Sequence, residues 1–370
     1  MSTPDTAHRA HSGGNGHANG NGHAAIAVAE PPHDARLKEQ IACLKKERNA
    51  VILAHNYQEG AIQDVADFVG DSLGLARSAQ QTPARVIVFC GVHFMAETAA
   101  MLCPDKTVLI PDPAAGCSLA EMIVPEQIKA WRAKHPDGVV VCYVNTSAAV
   151  KAECDYCVTS TNGIKVIEHI PAEREILFVP DYYLGSYLKA KTKRNIHLWK
   201  GYCPAHAAIL PEKVDRLMDA HPEAEFLMHP ECGCLTKQMD IADQILSTDG
   251  MIQYCKTSPA KEFIVATDNG ILYRLRKENP DKVFLPASEQ AACHHMQRNT
   301  LEKVLRSLVT GQYEVTVDPV TSRRAYACIE RMLAITEKRE PVLPGDMTFE
   351  SAQTIQLYDD WILEAANDLR

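Results

Sequence analysis

The chain has 370 residues, 46% of them hydrophobic, which is enough apolar material for about two to three globular domains. Its longest apolar run, near residues 86–92, is too short for a membrane-spanning helix, and a net charge of −9 disfavours binding to nucleic acid or anionic lipid. Thirteen cysteines without a secretory signal are typical of reduced thiols and metal ligands, so we expect a cytoplasmic enzyme that acts on small molecules.

The predicted elements alternate along the chain. Residues 1–34 are rich in Gly, Asn, Ala and His and are predicted to form a disordered tail. A helix is predicted over 35–48, a strand over 51–56, a helix over 63–79 and a strand over 85–91. This alternation predicts an α/β fold with parallel sheets.

The same pattern occurs three times. Residues 63–74 align with residues 151–162 and 239–250 at a spacing of 88, and an aspartate, a hydroxyl residue and a strand end coincide in all three copies. The aspartates are Asp67, Asp155 and Asp243. We therefore expect three pseudo-equivalent three-layer αβα domains arranged so that the carboxyl ends of their strands face one central cavity.

The repeat also suggests where the domains begin and end. After the tail, residues 35–117 together with about 313–370 are predicted as the first domain, 118–203 as the second and 204–312 as the third. The segment from about Tyr313, which includes a helical pattern over 349–368, is expected to pack back on the first domain.

The repeat separates two kinds of cysteine. Cys90, Cys142, Cys154 and Cys157 coincide with aliphatic residues in the other copies, so we interpret them as buried apolar side chains. Cys232 and Cys234 lie in an insertion, for which a zinc or disulfide role is a less favoured alternative.

One further cysteine per copy stands in a loop just before a helical stretch. These are Cys117, Cys203 and Cys293. A helix amino terminus favours the thiolate that binds metal, so three such cysteines predict a three-thiolate site. Either zinc with an open position or a cubane iron–sulfur cluster fits three ligands, and we favour the cubane.

Polar residues cluster at the equivalent strand ends and helix starts. The strand-end residues are His55, Asn56, Tyr57, Tyr143, Asn145, His229 and Glu231. The hydroxyl residues that precede a helix are Ser72, Ser160 and Thr248. A hydroxyl beside free backbone N–H groups either caps a helix or forms an anion pocket for phosphate or carboxylate, and both interpretations stay open.

The ordered segments of the chain resemble one enzyme family. They read HNYQ, GDSL, CGVHFMAETA, YVNTSA, VKA with TSTN, FVPDYYLG, GYCPAH, HPEC, STDGM and LYRLRK. Over about residues 36–370 the chain resembles quinolinate synthase. The resemblance implies three α/β domains around a cavity that holds a 4Fe-4S cluster. It further implies condensation of dihydroxyacetone phosphate with iminoaspartate to give quinolinate, and an upstream enzyme that produces iminoaspartate.

Residue roles follow from the resemblance position by position. It implies that the cluster ligands are Cys117, Cys203 and Cys293, with one iron left open as a Lewis acid. The implied substrate-binding residues are His55, Ser72, Tyr143, Asn145, Ser160, His229, Glu231 and Thr248. The implied catalytic residues are Tyr57, Glu231, His55 and His229. The chain departs from some family members in having only Cys293 where they carry a CxxCxxC run, so thiol–disulfide regulation there is not expected.

The competing hypothesis is a zinc-stabilised protein that binds a dicarboxylate or sugar phosphate without changing it.

Overall fold

The computed structural model describes residues 32–339, which form three α/β units. The predicted tail up to residue 31 and the helical pattern at 349–368 lie outside the described residues. Helix α1 begins at Pro32, slightly before the predicted end of the tail.

The helices and strands follow in chain order. The first unit contains α1 (Pro32–Glu47), β1 (Ala50–His55), α2 (Gly60–Val65), β2 (Phe68–Gly70), α3 (Ser72–Gln81), β3 (Val86–Cys90), α4 (His93–Leu102) and β4 (Thr107–Leu109). The second contains α5 (Pro125–Arg132), β5 (Val139–Tyr143), α6 (Ala148–Lys151), β6 (Tyr156–Val158), α7 (Gly163–His169), β7 (Ile176–Val179), α8 (Tyr182–Thr192) and β8 (Ile196–Leu198). The third contains α9 (Pro204–Ala207), α10 (Pro211–Ala220), β9 (Glu225–Met228), α11 (Leu235–Gln238), β10 (Gln244–Ile245), α12 (Thr248–Thr257), β11 (Glu262–Ala266), α13 (Ile271–Glu278) and β12 (Val283–Pro286). Two helices follow the third sheet, α14 (Leu301–Thr310) and α15 (Pro319–Thr336).

Each unit holds a four-stranded sheet with the same strand order. The orders are β2-β1-β3-β4, β6-β5-β7-β8 and β10-β9-β11-β12, and all neighbouring strands are parallel. The central strands are buried and rich in Val, Ile, Leu and Phe because helices cover both faces of the sheets. The predicted α/β class with three αβα units is confirmed.

The repeated aspartates perform the same structural task in each unit. Each accepts a hydrogen bond at 2.7 Å from a backbone N–H of the first strand of its unit. The pairs are Asp67 with Ile52, Asp155 with Val140 and Asp243 with Phe226. The spacing is nevertheless not uniform, since the loop cysteines recur after 203 − 117 = 86 and 293 − 203 = 90 residues. A single period of 88 is therefore not confirmed.

The helix predicted over 63–79 is wrong, because a short strand interrupts it. The chain leaves α2 at Val65, forms β2 and enters α3 at Ser72. Residues 68–70 pair in parallel with residues 53–55 of β1. The sheet hydrogen bonds thus outweigh the helical pattern of the local sequence.

The helices after the third sheet pack on the other two units. The apolar side chains Leu301, Val304 and Leu308 of α14 join the core beneath α1 and β3, although the sequence assigned them to a third domain ending at 312. Glu314 bridges Leu109 of β4, as expected for a segment that returns to the first unit. Helix α15 instead packs mainly against α6, β6 and α7 of the second unit. The proposed boundaries stay predictions.

Within residues 32–339, no helix has both the length and the apolar character needed to cross a membrane.

Candidate active site

The three units contribute to one shared cavity, with about 630 Å³ of space between the lining atoms, part of it open to solvent. It lies where the polar residues that end the first strands meet the loops that carry the cysteines. All the residues predicted for the site line it, namely His55, Tyr57, Ser72, Cys117, Tyr143, Asn145, Ser160, Cys203, His229, Glu231, Thr248 and Cys293. The structure thus brings the whole predicted set together.

The two strand-end histidines accept equivalent hydrogen bonds, each from the backbone N–H two residues later. The Nδ1 atom of His55 accepts a hydrogen bond at 3.2 Å from the N–H of Tyr57, and Nδ1 of His229 accepts one at 3.4 Å from the N–H of Glu231. Burial, with the nearby His206, lowers the pKa of His55 to about 3 and that of His229 well below its usual value. Both rings are therefore neutral and carry their proton on Nε2.

A hydroxyl, an imidazole and a carboxyl follow one another across the cavity. The Nε2 atom of His229 lies 3.2 Å from Oγ of Ser160, and Nδ1 lies 3.4 Å from Oε2 of Glu231. Burial and the negative charge of Asp181 raise the pKa of Glu231 well above its usual range. Asn145 donates through Nδ2 to Oε1 of Glu231 at 3.3 Å, while its own buried Oδ1 has no partner and is free to accept from a ligand.

Two of the predicted hydroxyls begin ten-residue helices, since Ser72 starts α3 and Thr248 starts α12. Asn56 donates from Nδ2 to Oγ1 of Thr248 at 2.9 Å, which joins the first and third units beside the cavity. Asp71 caps α3 by accepting from the N–H of Gly74 at 2.8 Å. A capping residue other than Ser72 leaves that hydroxyl available to a ligand.

A chain of hydrogen bonds connects Tyr57 with Cys203. The hydroxyl of Tyr57 lies 2.5 Å from Oγ1 of Thr267, which lies 2.9 Å from Nε2 of His206. On its other side, Nδ1 of His206 lies 3.2 Å from Sγ of Cys203. Burial lowers the pKa of His206 to about 4, and burial with the charge of Glu231 raises the pKa of Tyr57 well above its usual value.

The three cysteine loops are held in the same way. In each unit a backbone N–H just after the third strand donates, at 2.7 or 2.8 Å, to the carbonyl two residues before the cysteine. The pairs are His93 with Ala115, Tyr182 with Gly201 and Asn269 with Ala291. In the third unit the carboxylate of Asp268 also accepts from the N–H of Cys293 at 2.6 Å. These bonds fix where each thiol enters the cavity.

The three loop thiols are unpaired and close enough to influence one another. Burial raises the pKa of Cys117 to about 12, more than the N–H groups of Ala120 and Leu119 lower it, and the pKa of Cys203 and Cys293 is raised as well. The expectation that helix starts would favour thiolates is therefore wrong for the chain by itself, because desolvation outweighs the short turns that follow each cysteine. The charges of the other two thiols further raise the pKa of Cys203, as expected for neighbouring groups.

The remaining predicted cysteines are buried. Cys90, Cys142, Cys154 and Cys157 lie in the cores of the first two units, in line with their aliphatic counterparts in the repeat. Cys232 and Cys234 are joined by a disulfide in the core of the third unit, which is one of the two alternatives considered for them.

Known proteins resemble the chain over most of its length. The family described as Quinolinate synthetase A protein matches residues 39–334. The chain is 54% identical over 301 residues to a quinolinate synthase of Thermus thermophilus, covering 81% of this chain and 97% of the relative. It is 52% identical over 302 residues to quinolinate synthase of Pyrobaculum aerophilum, covering 80% and 98%. It is 50% identical over 301 residues to that of Methanosarcina barkeri, covering 81% and 98%.

The chain belongs to the quinolinate synthase family.

The donors in the cavity fit the iron–sulfur cluster expected for a quinolinate synthase. Among the residues lining the cavity, the three loop cysteines are the only thiols, and none is engaged in a disulfide. Three thiolates hold three corners of a cubane and leave the fourth iron without a protein ligand. A second set of donors, His206, His229 and Glu231, has its atoms within 4.8 Å of one another and is also able to bind a metal such as zinc.

Sequence reasoning missed several residues of the cavity. His206 stands three residues after Cys203, and a histidine close to a cysteine in the sequence does not by itself indicate a site. Asp71 and Asp268 line the cavity, and Thr267 contacts it through Tyr57. The signal for Thr267 was weak, because the corresponding residues after β3 and β7 are Gly91 and Pro180. Asp268 does have a counterpart, Asp181 after β7, and comparison of these two copies could have revealed it.

Proposed function

We propose that the chain is a cytoplasmic quinolinate synthase that condenses iminoaspartate with dihydroxyacetone phosphate to give quinolinate, phosphate and two waters. An upstream enzyme that makes iminoaspartate supplies the unstable substrate. The observation that carries the proposal is the convergence of one unpaired thiol per unit on the cavity that holds the polar strand-end residues.

Cys117, Cys203 and Cys293 are the proposed ligands of a 4Fe-4S cluster. When bound, such a cluster supplies a Lewis acid for a hydroxyl that leaves during dehydration. Because burial keeps the free thiols protonated, binding must release protons, and the cluster is expected to assemble less readily at low pH.

The anionic substrates are held by neutral donors. Ser72 and Thr248 offer hydroxyls at the amino termini of α3 and α12, where the helix dipole favours a phosphate or carboxylate. The Nε2–H of His55 is available to the same anions because its Nδ1 is already bonded to the backbone. Tyr143 and Asn145 line the same cavity, where Oδ1 of Asn145 is available to accept from an imine or hydroxyl of the substrate.

Glu231 is the proposed general acid. Its pKa is raised well above the usual range by burial, which favours the protonated carboxyl, and proton donation to a departing hydroxyl makes the hydroxyl a better leaving group. His229 accepts from the backbone N–H of Glu231 through Nδ1 and donates to the hydroxyl of Ser160 through Nε2, which fixes the ring beside the carboxyl.

Tyr57 is the proposed proton acceptor, and Cys203 determines its orientation. A ligated thiolate only accepts, so Nδ1 of His206 donates to Sγ and its Nε2 must accept from the hydroxyl of Thr267. Oγ1 of Thr267 then accepts from Tyr57. With its own proton directed to Thr267, Tyr57 takes a proton from the substrate only as its own proton passes through the hydroxyl of Thr267 to Nε2 of His206, where the proton finally resides.

The test is an anaerobic purification followed by iron and sulfide counts, a visible spectrum and an assay for quinolinate. We expect about four irons per chain, broad absorption near about 400 nm and product from iminoaspartate and dihydroxyacetone phosphate. Colourless protein with stoichiometric zinc and unchanged ligand would instead favour the binding-protein hypothesis, with His206, His229 and Glu231 as the metal ligands.

A further inference from the structure

A second group of metal-binding side chains lies at the opposite edge of the second sheet from the cavity. His135 follows α5, Glu175 immediately precedes β7 and His197 lies within β8. Donor atoms of all three lie within 4.8 Å of one another. The amino-terminal edge of a parallel sheet faces away from the catalytic edge, so this group belongs to no part of the proposed reaction.

The geometry of the group is close to that of a metal site. Nδ1 of His135 lies 2.8 Å from Oε2 of Glu175, and Nε2 of His197 lies 3.7 Å from Oε1 of the same carboxylate. Ligands about 2.0–2.1 Å from a tetrahedral ion stand about 3.3 Å apart, which lies between these two distances. Both distances differ from this spacing by about 0.5 Å or less, so the carboxylate stands close to a ligand arrangement with each imidazole.

The nitrogen of His197 supplies an independent indication. Nε2 of His197 is shielded from solvent although the side chain as a whole is 40% exposed, and the oxygen that it faces, Oε1 of Glu175, lies at 3.7 Å, beyond ordinary hydrogen-bond distance. A metal ion bound between the three side chains satisfies this atom.

The surrounding chain holds the donors in place. The ring of His135 stacks on Trp131 at a centroid distance of 4.4 Å and an angle of 11°. Trp131 in turn lies over Gly138, where a Cβ atom would stand 2.3 Å from the indole. The carbonyl of Glu175 accepts from the N–H of Val139 at 2.8 Å, which fixes the backbone beside the carboxylate.

The third unit provides an internal comparison. It has the same type of pair, since Nδ1 of His221 lies 2.9 Å from Oε1 of Glu262. At the position of His197, however, it has Leu285, because His197 pairs with the second residue of β7 and Leu285 with the equivalent residue of β11. The histidine–glutamate pair is thus common to two units, and the additional histidine distinguishes the second.

We propose that His135, Glu175 and His197 bind a divalent transition-metal ion of the Zn²⁺ class, with water in the remaining coordination position. Two imidazoles and one carboxylate suit zinc and its first-row neighbours rather than calcium or magnesium. The ion connects the end of α5 to the edge of the sheet and has a structural role.

The test is Zn²⁺ binding to the cluster-loaded full chain, measured by competition with a chromophoric chelator. We compare wild type with His197→Leu, which copies the third unit, with Glu175→Gln, and with the matched control His221→Gln. Other sites, including any among the histidines of the amino-terminal segment, are common to all four proteins, so the comparison isolates one ion.

We expect wild type and His221→Gln to bind one more Zn²⁺ than the two second-unit variants, or to bind one ion at least tenfold more tightly. Zn²⁺ should also raise the Tm of wild type but not that of His197→Leu, while iron content stays equal as a check on folding. Equal binding by wild type and His197→Leu would overturn the proposal, as would a loss of the same ion in His221→Gln.

Discussion

Replacing Thr267 by Val tests the hydrogen-bond chain that orients Tyr57. Valine has nearly the shape of threonine but lacks the hydroxyl that lies 2.5 Å from the Tyr57 oxygen and 2.9 Å from Nε2 of His206. After the change these two groups still face each other at 3.3 Å, so a weaker direct bond replaces two good ones. The net loss is about one neutral hydrogen bond, or about 1–1.5 kcal/mol. If the loss is felt only in the transition state, kcat falls about tenfold.

The assay is steady-state quinolinate formation under anaerobic conditions, with iron content and the spectrum of the reduced cluster measured in parallel. Thr267→Val should lower kcat with little change in KM, Thr267→Ser should restore it, and Tyr57→Phe should lose about 10²- to 10⁴-fold. Cluster content should not change, because Nδ1 of His206 still donates to Cys203. Full kcat in Thr267→Val would refute the orienting role, and loss of iron would show that Thr267 supports the metal site instead.

Three further substitutions test other parts of the site. Cys117→Ser should remove the iron and the activity, whereas Cys154→Ser, in the core, should retain both. The measurement is the iron content of the two purified variants. Loss of iron in Cys154→Ser alone would contradict the ligand assignment. Ser160→Ala should lower kcat/KM about two- to tenfold by removing one hydrogen bond to His229. The matched control Ser186→Ala, which removes a hydrogen bond to the carbonyl of Tyr182 away from the cavity, should not, and equal kinetics in the two variants would argue against a role for Ser160. For His55, the folded pKa of about 3 lies below the usual 6.5, so its stabilising contribution is complete above pH 6.5 and is lost as pH falls toward 3. The variant His55→Asn should therefore reduce the pH dependence of the unfolding free energy of the iron-free chain by about 1.4 kcal/mol per pH unit in this window, as measured by urea titration, and an unchanged slope would mean that the imidazole is not buried as a neutral group.

Internal repetition made it possible to predict much of the fold and of the site from the sequence. The aspartates Asp67, Asp155 and Asp243 coincide in the repeat because each accepts from the equivalent backbone N–H of the first strand of its unit. This bond sets the register of the repeat, and hence the position of the residues that end each first strand. Positions near repeated constraints, such as His55 and His229, could therefore be placed correctly.

Features that depend on contacts between distant parts of the chain could not be predicted in the same way. Strand β2 has three residues, and its pairing with β1 rather than its own pattern defines it. Thr267 contacts Tyr57 across 210 positions of sequence, and the other copies offer no hydroxyl there to reveal it. The pKa of the cysteines likewise depends on burial by the assembled units, which outweighs the local helix starts.

The packing of α14 against α1 has a consequence for the order of assembly during synthesis. The core of the first unit includes Leu301, Val304 and Leu308 together with Leu37 and Ile41 from its start. During synthesis, the apolar face of the first unit therefore stays uncovered until residues more than two hundred positions later in the chain have been made. Cys293 precedes α14 closely, so the last thiol and the helix that completes the first core leave the ribosome together. Under the proposed function, the three ligand cysteines are present together only after Cys293 has been made, and a chain that ends before α14 exposes an apolar surface that quality control can recognise.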